Sequence, residues 1–267
     1  MNTPILKKLL STLLLIFLFL PHLLYGETAE EKGLNIAREA ARRHQDFGDY
    51  RVEMLMIKKN KEGRESTMSI RHSAMEVIDE GVRTLSIIDT PAAVKGTSFL
   101  TLSNKRGTNE QYLYLPALGE VKELSSSSIS GSFMGSEFSY EDIASLEVGK
   151  YSYRYLREEK YRGRPCHVVE NFPQDTKNSG YSRRIWWVDK KEYRLFKVEF
   201  FDRKKSLLKS LSIDGYRQYP NGQWRAERMQ MVNHQSGKAT TLLWQNYRFR
   251  TGLTVEDFDL TALDHSP

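Results

Sequence analysis

The sequence predicts a mainly β protein built as one antiparallel sheet, closed or partly closed into a barrel. Hydrophobic side chains alternate with a period of two through most of the chain after Gly48. Turn pairs such as Asn221-Gly222 and Ser236-Gly237 punctuate that alternation at short, even intervals. Aromatic residues make up 11% of the 267, which favours strands over helical bundles. Helical crossovers of βαβ size do not appear, which argues against a doubly wound sheet. With 28% charged and 39% hydrophobic residues, the composition is that of a folded soluble protein.

Residues 1–26 read as a secretory signal peptide. Lys7 and Lys8 form a basic start, and from Leu9 to Leu20 only Ser11 and Thr12 interrupt the apolar run. Small Gly26 then makes cleavage before Glu27 plausible. Removing two lysines and no acid lowers the net charge from +6 to +4, too weak and dispersed to argue for nucleic acid. No cysteine stands near the cleavage point for lipid attachment, so the expectation is a soluble periplasmic chain. Residues 27–267 are expected to form a single domain.

The spacing predicts a helix over 28–48, with Glu30 and Glu31 in its first turn and Arg42 and Arg43 in its last. That order of charge suits the helix dipole. Strands follow. Val52, Met54 and Met56 alternate with Glu53, Leu55 and Ile57; further segments fit 66–73, 75–78, 82–88, 98–102, 111–115 and 120–124. The last third adds 151–157, 166–172, 182–188, 193–201, 207–213, 224–232 and 240–249. Residues 90–96 read as a loop. Residues 125–149 form a longer one, with four consecutive serines followed by Gly131, Phe133, Met134, Gly135, Phe138 and Tyr140. Its bulky apolar groups fit either a loop dipping into a cavity mouth or one folded over the core's edge.

The residues carry little catalytic signal. The six histidines show no HxxxH or HxH spacing, and G-x-S-x-G, phosphate-loop and dinucleotide fingerprints are absent. Glu137, Glu141 and Asp142 cluster, but Ser139 with Asp142 three residues on resembles a capping box for a short helical turn. The single cysteine, Cys166, excludes an internal disulfide framework and a four-cysteine zinc site. No enzyme activity, metal or cofactor is expected. Alternation instead gives an unusually apolar interior. Phe196, Val198 and Phe200 share one face, as do Leu207, Leu211 and Ile213; Met229 pairs with Met231 and Leu242 with Trp244. Met54, Met56, Met229 and Met231 suit a surface that accepts variable apolar partners. A packed barrel core and a cavity both fit this pattern.

Residues 112–118, YLYLPAL, and 131–142, GSFMGSEFSYED, resemble the signature of the LolA-like outer-membrane lipoprotein-sorting family. The likeness continues through Trp187-Val188-Asp189-Lys190, residues 197–202 and Met229-Gln230-Met231, covering roughly 50–258. Glu137 stands where the family pattern usually has Asp. The resemblance implies a single incomplete, strongly curved antiparallel β-barrel, with an N-terminal helix and a loop or short helix as a lid over an apolar cavity. It implies a soluble periplasmic carrier of lipoproteins or other lipids, shuttling them toward the outer membrane. Its partners would be acylated cargo and an inner-membrane exporter or release complex; a monomer is expected. Expected lipid-binding and lid residues are Met54, Met56, Tyr114, Pro116, Phe133, Met134, Gly135, Phe138, Tyr140, Phe196, Val198, Phe200, Met229 and Met231. On that reading Phe138→Glu reduces lipid retention while the fold survives. The alternative is a periplasmic adaptor that docks on an exporter and carries no lipid.

Overall fold

A computed structural model describes residues 26–263, apart from 106 and 146. Residues 1–25 of the expected signal lie outside the described residues. One helix, α1 (Ala29–Arg42), precedes six strands: β1 (Asp49–Lys59), β2 (Glu65–Val77), β3 (Gly81–Thr90), β4 (Ser98–Leu102), β5 (Glu110–Leu115) and β6 (Glu120–Glu123). After a long connection carrying the short helix α2 (Tyr140–Ile143) come β7 (Tyr151–Tyr161), β8 (Arg164–Pro173), β9 (Tyr181–Asp189), β10 (Leu195–Asp202), β11 (Leu207–Gln218), β12 (Trp224–Asn233) and β13 (Ala239–Phe249).

All thirteen strands lie in one sheet, ordered 6-5-4-3-2-1-13-12-11-10-9-8-7. It consists of two antiparallel meanders joined by the pairing of β1 with β13, where Tyr50 stands opposite Phe249. β6 and β7 are its two edges and do not pair, so the sheet curls without closing. β6 is four exposed residues with three charges, a short and charged edge that resists further pairing. The other edge is covered by α1. A Cβ on Gly33 would stand 2.8 Å from the Tyr155 nitrogen, so only glycine allows the helix to lie on the β7 backbone.

Several expectations change in detail. The helix ends at Arg42 rather than Gly48, because the Glu76 carboxylate accepts from the backbone N–H groups of Asp46 and Gly48 and draws the chain into β1. The segments 66–73 and 75–78 are one strand, β2. β7 runs to Tyr161 and turns through Arg162-Gly163, both at positive φ, which suits a tight hairpin.

The inner face carries the main core, including Met54, Met56, Phe99, Trp186, Val198 and Leu242. On the opposite face the C-terminal turns press Leu253, Phe258 and Leu263 onto Met75, Leu85, Ile87 and Leu100. Phe196 does not share a face with Val198 and Phe200. The register shifts between Leu195, opposite Val188, and Lys197, opposite Trp187, leaving Phe196 as an extra residue. This bulge turns it outward to Cys166, Val168 and Trp187. Leu207 is 38% exposed at the end of β11, apart from buried Leu211 and Ile213.

Gly33→Ala adds helix propensity worth about 1 kcal/mol but forces a methyl into backbone, costing about 1–3 kcal/mol. The expected net result is a Tm a few degrees lower by circular dichroism; an unchanged or higher Tm would show that α1 does not lie this close to β7.

Candidate functional site: a cavity on the inner face of the sheet

The curled sheet encloses a cavity of about 1140 Å³, above the usual range of about 300–1,000 Å³ for small-molecule sites. Its apolar wall includes Met54, Trp186, Val198, Phe200, Met229 and Leu242, with Ala37, Ala40 and Ala41 contributed by α1. Phe47, Tyr50, Trp244 and Tyr247 also line it, as an aromatic group whose rings meet at 5.2–6.5 Å between neighbours. The β1–β13 register shifts between Arg51 and Glu53, opposite Arg248 and Gln245, and Asn246 takes positive φ. That bulge is how both Trp244 and Tyr247, three residues apart, come to line the cavity.

One end is filled by the connection between β6 and β7. Phe133 is fully buried and Phe138 nearly so; Phe133 and Tyr140 pack edge-on against each other and around Phe99 of β4. Polar contacts hold this segment to both meanders. Lys58 of β1 donates to the Met134 carbonyl at 3.1 Å, Gln111 of β5 to the Tyr140 carbonyl at 3.2 Å, and the Glu137 N–H donates to Thr240 Oγ1 of β13 at 3.0 Å. The strongest tie is Lys209 of β11, whose ammonium reaches Asp142 Oδ2 at 2.7 Å and the Glu137 carbonyl at 2.8 Å. Lys209 and Asp142 side chains are 5% and 4% exposed. Asp142 also accepts from the Ser139 N–H at 2.8 Å and from the Tyr181 hydroxyl at 2.9 Å. Burial first, then the charges of Asp142 and Glu141, push the Tyr181 pKa well above its ordinary value, so the phenol stays a donor. Asp142 caps α2 as its spacing predicts.

The segment is therefore a plug seated among the strands, with a built-in anchor, rather than an apolar flap at the mouth. Phe138→Glu would place a charge in the core, so this variant tests folding, not retention alone. Ser132 Oγ and Ser136 Oγ donate to carbonyls within the plug, at Ser136 and Phe138.

Of the fourteen residues expected at the site, Met54, Phe138, Val198, Phe200 and Met229 line the cavity. Met56, Met231, Phe133, Met134 and Tyr140 pack in or against the core around it, and Gly135 supplies a positive φ in the plug. Tyr114 packs with the opposite-face cluster, Pro116 lies against Gly96, and Phe196 faces away. Sequence reasoning missed the polar lining: His72, Gln111 and Arg184. The signal was present. His72 continues the inward series Met68, Ile70, Ala74; Arg184 precedes Trp186 and Val188; Lys209 precedes Leu211 and Ile213. His72 Nδ1 lies 2.8 Å from Ser86 Oγ, and burial pulls its pKa down to about 4.

A domain from Vibrio parahaemolyticus described as an outer membrane lipoprotein-sorting protein is 47% identical, with a TM-score of 0.86 over 88% of this chain and 99% of that one. The chain belongs to the outer-membrane lipoprotein-sorting family. A family model described as an uncharacterized protein matches residues 80–265. A DUF1329 family protein from Desulfovibrio piger is 29% identical, with a TM-score of 0.84 over 88% of this chain and 99% of that one. A LolA superfamily protein from Nitrosomonas europaea shares the fold at 20% identity and a TM-score of 0.70, over 89% of this chain and all of that one. No curated protein matches in sequence. In this LolA-like chain the motif GSFMGSEFSYED is the plug, and its final Asp142 is the anchor.

Breaking the buried pair with Lys209→Met or Asp142→Asn leaves one polar partner stranded and is expected to cost about 3–5 kcal/mol in urea denaturation. The double variant should cost clearly less than the sum; simple additivity would show that the two residues do not act as a pair. His72 binds its proton less readily folded than unfolded, so its stabilisation is complete above about pH 6.5 and lost as pH falls toward 4. The difference is on the order of 3 kcal/mol. His72→Gln should remove that part of the acid destabilisation; an identical pH profile for both proteins would place His72 in contact with water.

Proposed function

We propose that this protein is a soluble periplasmic carrier that holds the acyl chains of lipoproteins or other lipids in its inner-face cavity and moves them toward the outer membrane. The observation that carries the proposal is the cavity itself, large and mostly apolar, inside a sheet of the lipoprotein-sorting family. Residues 1–26 act as the export signal and 27–267 as the carrier domain. Burying one methylene contributes about 0.8 kcal/mol, so a chain of about 15 methylenes gains on the order of 12 kcal/mol, close to what leaving a bilayer costs. One chain can therefore be exchanged with a membrane. Two or three need on the order of 25–35 kcal/mol for extraction. Loading then requires a membrane machine, and an inner-membrane exporter or release complex is the natural partner of a monomeric carrier. Transport of this kind needs binding and no catalytic group.

Native mass spectrometry of protein purified from periplasm should show lipid adducts, whose extracted masses distinguish lipoprotein from phospholipid. Met229→Trp, which fills the cavity from β12, should fold normally and lose most of that adduct. If wild-type protein carries no adduct and also fails to bind added fluorescent fatty acids, the carrier reading falls and an adaptor docking on an exporter takes its place.

A further inference from the structure

Three residues of the cavity wall hold buried polar atoms with no hydrogen-bond partner: Arg184 Nη2, Gln111 Oε1 and Trp244 Nε1. Unpaired buried groups of this kind are rare in folded proteins and call for a reason. Arg184 is the most demanding of the three, because it carries a full charge at 6% exposure. Its Nε donates to Asn171 Oδ1 at 2.9 Å, and its guanidinium lies over the Tyr151 ring at 4.2 Å and near that of Trp186 at 5.9 Å. No carboxylate among the described residues makes an ion pair with it.

The neighbouring acids are already engaged. Asp142 is held by Lys209, Tyr181 and the Ser139 N–H. Glu141 accepts from Ser179 Oγ at 2.9 Å and the Gly180 N–H at 2.8 Å. Burial first, then Asp142, pushes the Glu141 pKa up, against the Gly180 and Ser179 hydrogen bonds and the Arg184 charge, which pull it down. Burial works against the Arg184 charge; Tyr151, through its charge and a side-chain hydrogen bond, and the charges of Glu141 and Asp142 outweigh it and raise the pKa, while Nη2 stays unpaired. A guanidinium with donors to spare, on an aromatic shelf in an apolar cavity, is a site for an oxyanion.

We propose that Arg184 binds the oxyanion of an amphiphilic cargo, so that the cavity selects acyl chains carrying a carboxylate or phosphate over neutral chains of equal length. This inference rests on the carrier reading. It also gives the cargo an orientation, with its charged end beside β8, β9 and the plug and its chain running along Val198, Phe200 and Met229.

The test compares dodecanoic acid, dodecyl phosphate and methyl dodecanoate, each displacing an uncharged fluorescent probe from wild-type, Arg184→Gln and Arg184→Lys proteins. Wild type should bind an anionic ligand about ten-fold or more tightly than the ester, as a charge-assisted hydrogen bond provides. Arg184→Gln should reduce that ratio to about two-fold or less; Arg184→Lys should keep part of it. The acid and phosphate arms tell a fatty-acid head from a phospholipid head, and inorganic phosphate alone should not displace the probe. Equal binding of anions and ester by wild type overturns the oxyanion site and leaves the carrier standing, as does an Arg184→Gln protein that keeps the preference. Failure of all three ligands overturns the carrier reading itself. If Arg184→Gln does not fold by circular dichroism, the wild-type ratio and the Lys variant decide.

Discussion

The ion pair between Lys209 and Asp142 is the interaction on which the site depends. Taking both charges out of water is costly, and a bare pair would not recover that cost. Here the cost is offset because each ion has further partners. Lys209 adds the Glu137 carbonyl, and Asp142 adds a backbone N–H and a phenol. Since Lys209 belongs to a strand and the others mostly to the plug, the network fixes where Phe133 and Phe138 sit. Those rings in turn close one end of the cavity. Apolar packing alone would hold them in the core without choosing one register; the buried pair chooses it.

A second constraint is the sheet's failure to close. Thirteen strands curl around an inner face that is too apolar to meet water, yet β6 is too short and too charged to reach β7. The connection between the two edges does what a further strand pair would have done. It crosses the opening and takes hydrogen bonds from β1, β5 and β11 while giving one to β13. Because this filler is a loop rather than a strand, it occupies only part of the interior. The remaining space is the cavity.

Most of the architecture was legible in the residues. Alternation located nearly every strand, since a half-buried strand must place apolar groups at every second position. The motif around residues 131–142 pointed to the segment that turned out to be the plug. What alternation cannot show is an extra residue. The bulges at Phe196 and before Tyr247 each reverse the side-chain phase within a strand, and nothing in the composition of residues 195–197 or 245–247 marks them. Phe196 was misplaced for that reason, and the aromatic group around Tyr247 was not foreseen. The inward polar residues were a different case. Lys209, His72 and Arg184 lie in phase with apolar neighbours, but a charge in such a series reads as a solvent-facing exception until its partners are known. Those partners lie 67 residues away in the case of Lys209 and Asp142, beyond the reach of local patterns.

The seam between β1 and β13 joins positions about two hundred residues apart, Tyr50 and Phe249, at the middle of the sheet. Each meander consists of hairpins between neighbours in sequence and can zip up from its own turns. The seam cannot, because closing so long a loop carries a large entropic cost and both halves must already be in shape. The interior wall that spans Met54 and Leu242 exists only once the last strand has arrived. A chain short of β13 has two half-sheets that are not joined, and the wall of the cavity is incomplete. The cavity is thus the last feature of the fold to form, and it forms when the two ends of the sheet's chain path meet.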